Sequence, residues 1–241
     1  MRFVTSIPAT NGFAATTSRW QNGGVKKWIA MTIALAAVAD AESPPKRIVG
    51  TQGTGVVERG FFDDKDAWKP GDPAAWKWEE REGERVLCLV KQSKVKPPVR
   101  SPFNLIWFEK KSWEGFDLQV EVRLTKFDKG NNDLCVAFAG KGPQEFYYAH
   151  LGEKADQVHH QIHLVNHADR KPITVWRSEG TPWKEGTWHK LRVVHRPATG
   201  EIAVMFDGES VLTAADKTLT GGKIGLGSFD DTGEFRRIII R

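Results

Sequence analysis

The chain has 241 residues, of which 40% are hydrophobic, 27% charged and 10% aromatic, a balance that excludes a disordered chain and a polytopic membrane protein. Its formal charge of +5 is concentrated at the N-terminus: Arg2, Arg19, Lys26 and Lys27 stand against Asp40 alone before Glu42, and the remainder carries 31 basic and 29 acidic residues, a net of +2. With no basic run longer than two residues, that remainder offers no nucleic-acid surface, and no nucleic-acid partner is expected.

The first recognisable segment is an export signal. Lys26-Lys27 precede an apolar run from Trp28 to Val38, and Ala39-Asp40-Ala41 follows as a small-x-small cleavage site. Residues 1–41 are therefore predicted to be a signal peptide with cleavage after Ala41. Residues 1–24 are polar and unlike an n-region, so a true start at Val25, read from a GTG codon in a bacterial gene, is expected. The competing reading of the apolar run is a buried core helix. It is shorter than the roughly 20 residues a spanning helix needs, so stable membrane insertion is not expected and the mature chain should be periplasmic or secreted. Residues 42–56, with Pro44-Pro45, are predicted to be a linker, and residues 57–241 one domain.

Within that domain, apolar residues recur with period two in short runs separated by Gly, Pro, Asn and Asp clusters. In chain order the predicted strands are Arg85 to Lys91, Leu105 to Glu109, Phe116 to Thr125, Asp133 to Ala139, Glu145 to Leu151, Val158 to Val165, Pro172 to Arg177, Thr187 to Arg196, Glu201 to Phe206, Lys223 to Phe229 and Glu234 to Ile240. Turn signals lie between them, among them Ala198-Thr199-Gly200 and Asp207-Gly208. No 12-residue window sustains a 3.6 period, and no fixed repeat points to a propeller or solenoid. The expected fold is all-β: one antiparallel two-sheet jelly-roll sandwich. Cys88 and Cys135 sit in apolar strand-like runs and read as buried free thiols, although an exported chain would also allow a disulfide.

The C-terminal half carries Gly186-Thr187-Trp188-His189-Lys190-Leu191-Arg192-Val193, then Val204-Met205-Phe206-Asp207-Gly208, then Gly222-Lys223-Ile224-Gly225-Leu226-Gly227. That order resembles concanavalin A-like lectin and glucanase sandwiches. Within them it is most similar to the bacterial exported 3-keto-disaccharide hydrolase domains, over residues 57–241. Trp113-Glu114-Gly115-Phe116-Asp117 and the closing Phe235-Arg236-Arg237-Ile238 add to the likeness. The resemblance implies the sandwich fold and glycoside hydrolysis. The acidic triplet of a family-sixteen glucanase is not reproduced, since Gln119 stands between Asp117 and Glu121.

Four consecutive strands have unusual second faces. Gln119, Glu121 and Arg123 oppose the apolar set of the first; Asp133, Cys135 and Ala137 lie together on the second; Tyr148 and His150 on the third; His159, Gln161 and His163 on the fourth. If these strands form a meander, their polar faces make one floor on which carboxylates, amides and guanidinium groups bind sugar hydroxyls. Tyr148 is then the first choice for a stacking ring, with Trp107 or Trp176 as alternatives. Glu121 and Asp133 are the candidate acid/base pair, and Gln119, Arg123, Tyr148, His150, His159, Gln161 and His163 the candidate substrate-binding residues. A solvated sheet face is the plain alternative for any one of them. No cofactor is required and no metal ligands are assigned, although His159, His163 and His150 have ligand chemistry and Asp230-Asp231-Thr232-Gly233 is either an Asp-rich turn or a loop for structural calcium. The expected partner is a carbohydrate, either as the substrate of a glycoside hydrolase or as the ligand of a non-catalytic binding or adhesion module. A domain that packs a protein partner against the same floor is the third reading.

Overall fold

The computed structural model describes residues 57–58, 60–127 and 130–241; the predicted signal peptide and nearly all of the linker lie outside them. Fifteen strands follow one another: β1 (Trp68–Pro70), β2 (Trp76–Arg81), β3 (Glu84–Leu89), β4 (Asn104–Phe108), β5 (Phe116–Leu124), β6 (Asp133–Gly142), β7 (Glu145–Gly152), β8 (Gln161–Asn166), β9 (Lys171–Pro172), β10 (Thr174–Arg177), β11 (His189–Arg196), β12 (Glu201–Phe206), β13 (Glu209–Ala215), β14 (Lys223–Ser228) and β15 (Gly233–Ile240). They form a seven-stranded sheet in the order β1-β4-β14-β6-β7-β8-β9 and an eight-stranded sheet in the order β10-β13-β12-β11-β5-β15-β3-β2. All pairings between these strands are antiparallel. The fold is the two-sheet sandwich the alternation predicts.

β5 shows why the alternation works. Phe116, Leu118, Val120, Val122 and Leu124 are buried, and the residues between them are half-exposed, because successive side chains leave opposite faces of a pleated strand. The buried set joins Leu134, Val136 and Phe138 of β6 and Tyr147, Ala149 and Leu151 of β7 in one core between the sheets. Each Val, Leu or Phe side chain drawn into that core contributes roughly 1.5–3 kcal/mol of transfer free energy.

Three strands escape the sequence pattern. β1 is only three residues long; β2 is an edge strand that turns from Trp76 and Trp78 to Glu79, Glu80 and Arg81, charge being one way a free edge avoids pairing with another chain. In β13 the apolar signal is thinned by Glu209, Ser210 and Thr213. The predicted strand Pro172 to Arg177 is two strands, β9 on the edge of one sheet and β10 on the edge of the other, with Ile173 alone between them. On the opposite flank β1 and β2, again one edge of each sheet, are joined by the short segment 71–75.

The expected four-strand meander is not formed. β5 lies in the eight-stranded sheet while β6, β7 and β8 adjoin in the seven-stranded one, so the chain changes sheets between Leu124 and Asp133. The alternating faces are as expected, but Gln119, Glu121 and Arg123 point out of the opposite side of the sandwich from Asp133, Tyr148 and His163.

Candidate functional site

The register of the seven-stranded sheet aligns two rows of side chains across its outer face. One runs Trp107, Gly225, Ala137, Tyr148, His163; the other runs Leu105, Gly227, Cys135, His150, Gln161. The small residues in the middle leave space that Trp107 fills. Its ring lies so close to Gly225 and Gly140 that a Cβ at either would collide with it. Trp107 stands edge-on to Phe146, with centroids 5.4 Å apart, and Leu105, Trp107 and Val99 pack against Cys135, Ala137, Phe146, Tyr148 and Val165.

The polar half of the face is closed, not the open floor expected. Tyr148, His150 and His163 are each 0% exposed. Val99 of the segment between β3 and β4 packs against the cluster that contains Tyr148, and Phe229 stacks on His150 at 5.6 Å. Arg170 caps the cluster: its guanidinium lies 4.3 Å from the Phe229 ring centre and donates to the Tyr148 hydroxyl at 3.3 Å. Its backbone N–H donates to the Arg100 carbonyl at 3.0 Å, and the Arg100 N–H donates to Asp169 Oδ1 at 2.8 Å, tying the β8–β9 turn to the covering segment. Phe229, Arg100 and Arg170 were not singled out from sequence; the run Pro97-Pro98 with Pro102 was the available sign of a rigid covering segment.

Burial sets the protonation of this cluster. His163, stacked on Tyr148 at 4.8 Å, is pushed down to about 2 by burial, with the nearby His150 and Arg170 adding to the shift. Burial likewise raises the Tyr148 hydroxyl. For Asp133 burial acts upward, but the His150 ring and the Phe229 N–H, which donates to Oδ1 at 2.9 Å, hold the carboxyl below its usual range. The Cys135 thiol is raised, first by burial and then by the Asp133 carboxylate.

His159 is not on the β8 face. β8 begins at Gln161, because the Asp156 carboxylate accepts from the Val158 and His159 N–H groups and from His159 Nδ1, holding residues 156–159 in a turn. Gln161 does lie on the face, 7% exposed, with its amide donating to the Asp156 carbonyl at 2.9 Å.

On the eight-stranded sheet, Glu121 is bridged by Arg236 at 2.8 Å and Arg237 at 3.2 Å. A bulge at Arg237, with φ of 51°, turns that side chain to the same face. Arg123 pairs with the buried Glu234 and lies 4.5 Å over Trp188. Gln119, Glu121 and Arg237 together line a groove of about 660 Å³ on this face. Glu121 and Asp133 therefore face no common space, and acid/base work between them has no geometric basis.

The Trp-His and Phe-Asp-Gly motifs are explained by structure. His189 Nδ1 donates to Asp207 Oδ2 at 2.7 Å and its Nε2 accepts the Lys184 N–H at 3.2 Å, so one buried ring joins the β12–β13 turn to the loop before β11.

The open feature on the seven-stranded sheet lies beside Trp107. A pocket of about 340 Å³ is lined by Trp107, Leu105, Phe103 and Pro97, with Lys69, Glu109 and Lys223 among its polar groups. Lys223 pairs with Glu109. Trp176, the other alternative ring, stands on edge strand β10 of the other sheet.

A two-sheet jelly-roll sandwich is an architecture found in lectin domains and in proteins of unrelated function. Residues 59–241 match the 3-keto-alpha-glucoside-1,2-lyase-like domain, and the chain belongs to that family. Among solved structures, a putative glycosyl hydrolase from Parabacteroides distasonis is 16% identical with a TM-score of 0.53, covering 78% of this chain and 99% of its own. A carbohydrate binding module from Bacillus subtilis is 16% identical with a TM-score of 0.51, covering 71% and 93%. A Bacillus subtilis protein of unknown function with a galectin-like fold is 12% identical with a TM-score of 0.53, covering 78% and 96%. At these identities the likeness is one of fold. No curated protein matches the chain in sequence.

Proposed function

We propose that residues 57–241 form an exported carbohydrate-active domain that seats a sugar in the Trp107 pocket and acts there on a glycoside. The observation that carries this is the indole itself: half-buried, held by Gly140 and Gly225 and bordering a pocket of about 340 Å³. A pyranose stacks its apolar face on such a ring, and Lys69, Glu109 and Lys223 supply donors and acceptors for its hydroxyls. Membership of the family makes a 3-keto-α-glucoside the first substrate to offer. A 3-keto group acidifies the C2–H, so a single carboxylate suffices for elimination: Glu109, the carboxylate lining the pocket, takes the C2 proton as the C1–O bond breaks, the C1=C2 bond forms and the departing alkoxide takes up a proton from water. Hydrolysis by paired carboxyl groups would need a second one in reach.

A binding module without turnover is the second reading. It is favoured by the sealing of Tyr148, His150 and His163 and by the engagement of Glu109 with Lys223.

Calorimetry with a 3-keto-α-disaccharide and its unoxidised parent, alongside detection of the eliminated product, separates the two. Trp107→Ala should weaken binding by about tenfold or more, and Glu109→Gln should abolish turnover while sparing affinity. Unchanged binding by Trp107→Ala would refute the pocket. Tight wild-type binding with no product would establish the binding module.

A further inference from the structure

At the closed end of the same face, three donors of different chemistry converge. Asp133 and Cys135 stand two apart on β6, and His150 is the cross-strand partner of Cys135 on β7, so all three leave the same face. Their donor atoms lie within 4.8 Å of one another and all three residues are buried. Cys135 Sγ is 3.6 Å from Asp133 Oδ1, and His150 Nε2 is 3.3 Å from Asp133 Oδ2. A tetrahedral ion bonded at zinc distances has ligand–ligand edges of about 3.3–3.6 Å, so the donors, one per residue within 4.8 Å of one another, need to close by only about an ångström to hold it.

The surroundings of His150 point the same way. Its Nδ1 lies 3.1 Å from the Val158 carbonyl, which fixes that nitrogen as the donor. Nε2 makes no hydrogen bond although it is fully enclosed and aimed at Asp133. A ring whose far nitrogen donates to a backbone carbonyl while the near one faces a carboxylate is oriented as metal-bound histidines are. Asp133 is fixed in turn by the Phe229 N–H.

We propose that Asp133, Cys135 and His150 bind a divalent transition-metal ion of the zinc class, with the fourth position directed to the Asp230-Asp231 turn. The carboxylates of Asp230 and Asp231 converge on Asp133 within 4.8 Å, and exposed Asp230 marks the route from solvent. A thiol and an imidazole beside one carboxylate suit zinc better than calcium, which takes oxygen donors. Binding replaces the thiol proton: the S–H bond is lost, a metal–sulfur bond forms, and the proton leaves to solvent. Thiolate and carboxylate then neutralise the ion, while Arg170 remains the cation on the other side of the cluster. This site is independent of the sugar reading and stands whether or not the Trp107 pocket binds a saccharide.

The test uses full-length mature protein stripped with a chelator and titrated with Co²⁺ as a spectroscopic substitute. One equivalent should bind with a thiolate-to-cobalt charge-transfer band in the near ultraviolet, and one equivalent of Zn²⁺ should displace it. Cys135→Ser should lose the band and weaken binding by about tenfold or more, whereas Cys88→Ser, in the other sheet, should keep both. If Cys135→Ser does not fold, the band of the wild type and its persistence in Cys88→Ser decide the matter. No uptake, uptake without the thiolate band, or uptake of Ca²⁺ in preference to Zn²⁺ would overturn the proposal, the last by assigning the ion to the three aspartates instead.

Discussion

His160 is a buried histidine whose ring is held neutral. Nδ1 lies 3.0 Å from Thr181 Oγ1 and Nε2 2.9 Å from Ser178 Oγ, and the residue is 0% exposed. Burial, with Arg177 and His150 also disfavouring a positive charge, lowers its pKa from 6.5 to about 4. Because the folded value is the lower one, the unfolded chain binds more protons between these two values. The contribution is therefore complete above about pH 6.5 and is lost as pH falls, by about 1.4 kcal/mol per pH unit between the two values, or about 3 kcal/mol by pH 4. His160→Asn keeps a residue that tolerates the observed φ of 52° and removes the titration. Urea unfolding of both proteins at about pH 7.5 and about pH 5 should show the stability gap narrowing by about 2 kcal/mol at the lower pH. A gap that does not change with pH would refute the assignment of a neutral ring.

Val120→Asp places an unpaired carboxylate in the core and should cost about 3–5 kcal/mol, whereas Gln119→Ala on the groove side should stay within about 0.5 kcal/mol; equal melting losses would contradict the assigned faces. His189→Ala leaves the Lys184 N–H and Asp207 without their partner and opens space beside Trp183 and Phe206, so Tm should fall by about 5–10 °C. Export by a bacterial host should yield a chain whose sequenced N-terminus is Glu42, and retention of Lys26-Lys27 would refute the signal peptide.

The sandwich was legible because period two is imposed locally: β5, β6 and β7 show on their own residues which side meets the core. Legibility failed where neighbours had to be chosen. Short connections favour adjacent strands, yet β5 and β6 lie in different sheets, so Glu121 and Asp133 faced opposite ways despite their nearness in sequence. Burial of Tyr148, His150 and His163 was equally invisible, since the groups that pack around them, Val99, Arg170 and Phe229, come from three distant connections. Period two assigns a residue to a face but carries no information on what lies above that face. Trp107 was named from its ring chemistry alone; its seat depends on Gly140 and Gly225, two absences of a side chain on neighbouring strands.

The two short links at the flanks, Ile173 between β9 and β10 and residues 71–75 between β1 and β2, each join an edge of one sheet to an edge of the other. The layers are thus stitched along both margins, like a sleeve rather than two stacked cards. Sliding one layer over the other, or peeling it away, requires the chain to be unzipped from both sheets at once. With both margins joined in this way, the layers should part together under tension or heat, and the outer face that carries Trp107 should keep its shape until the whole domain yields.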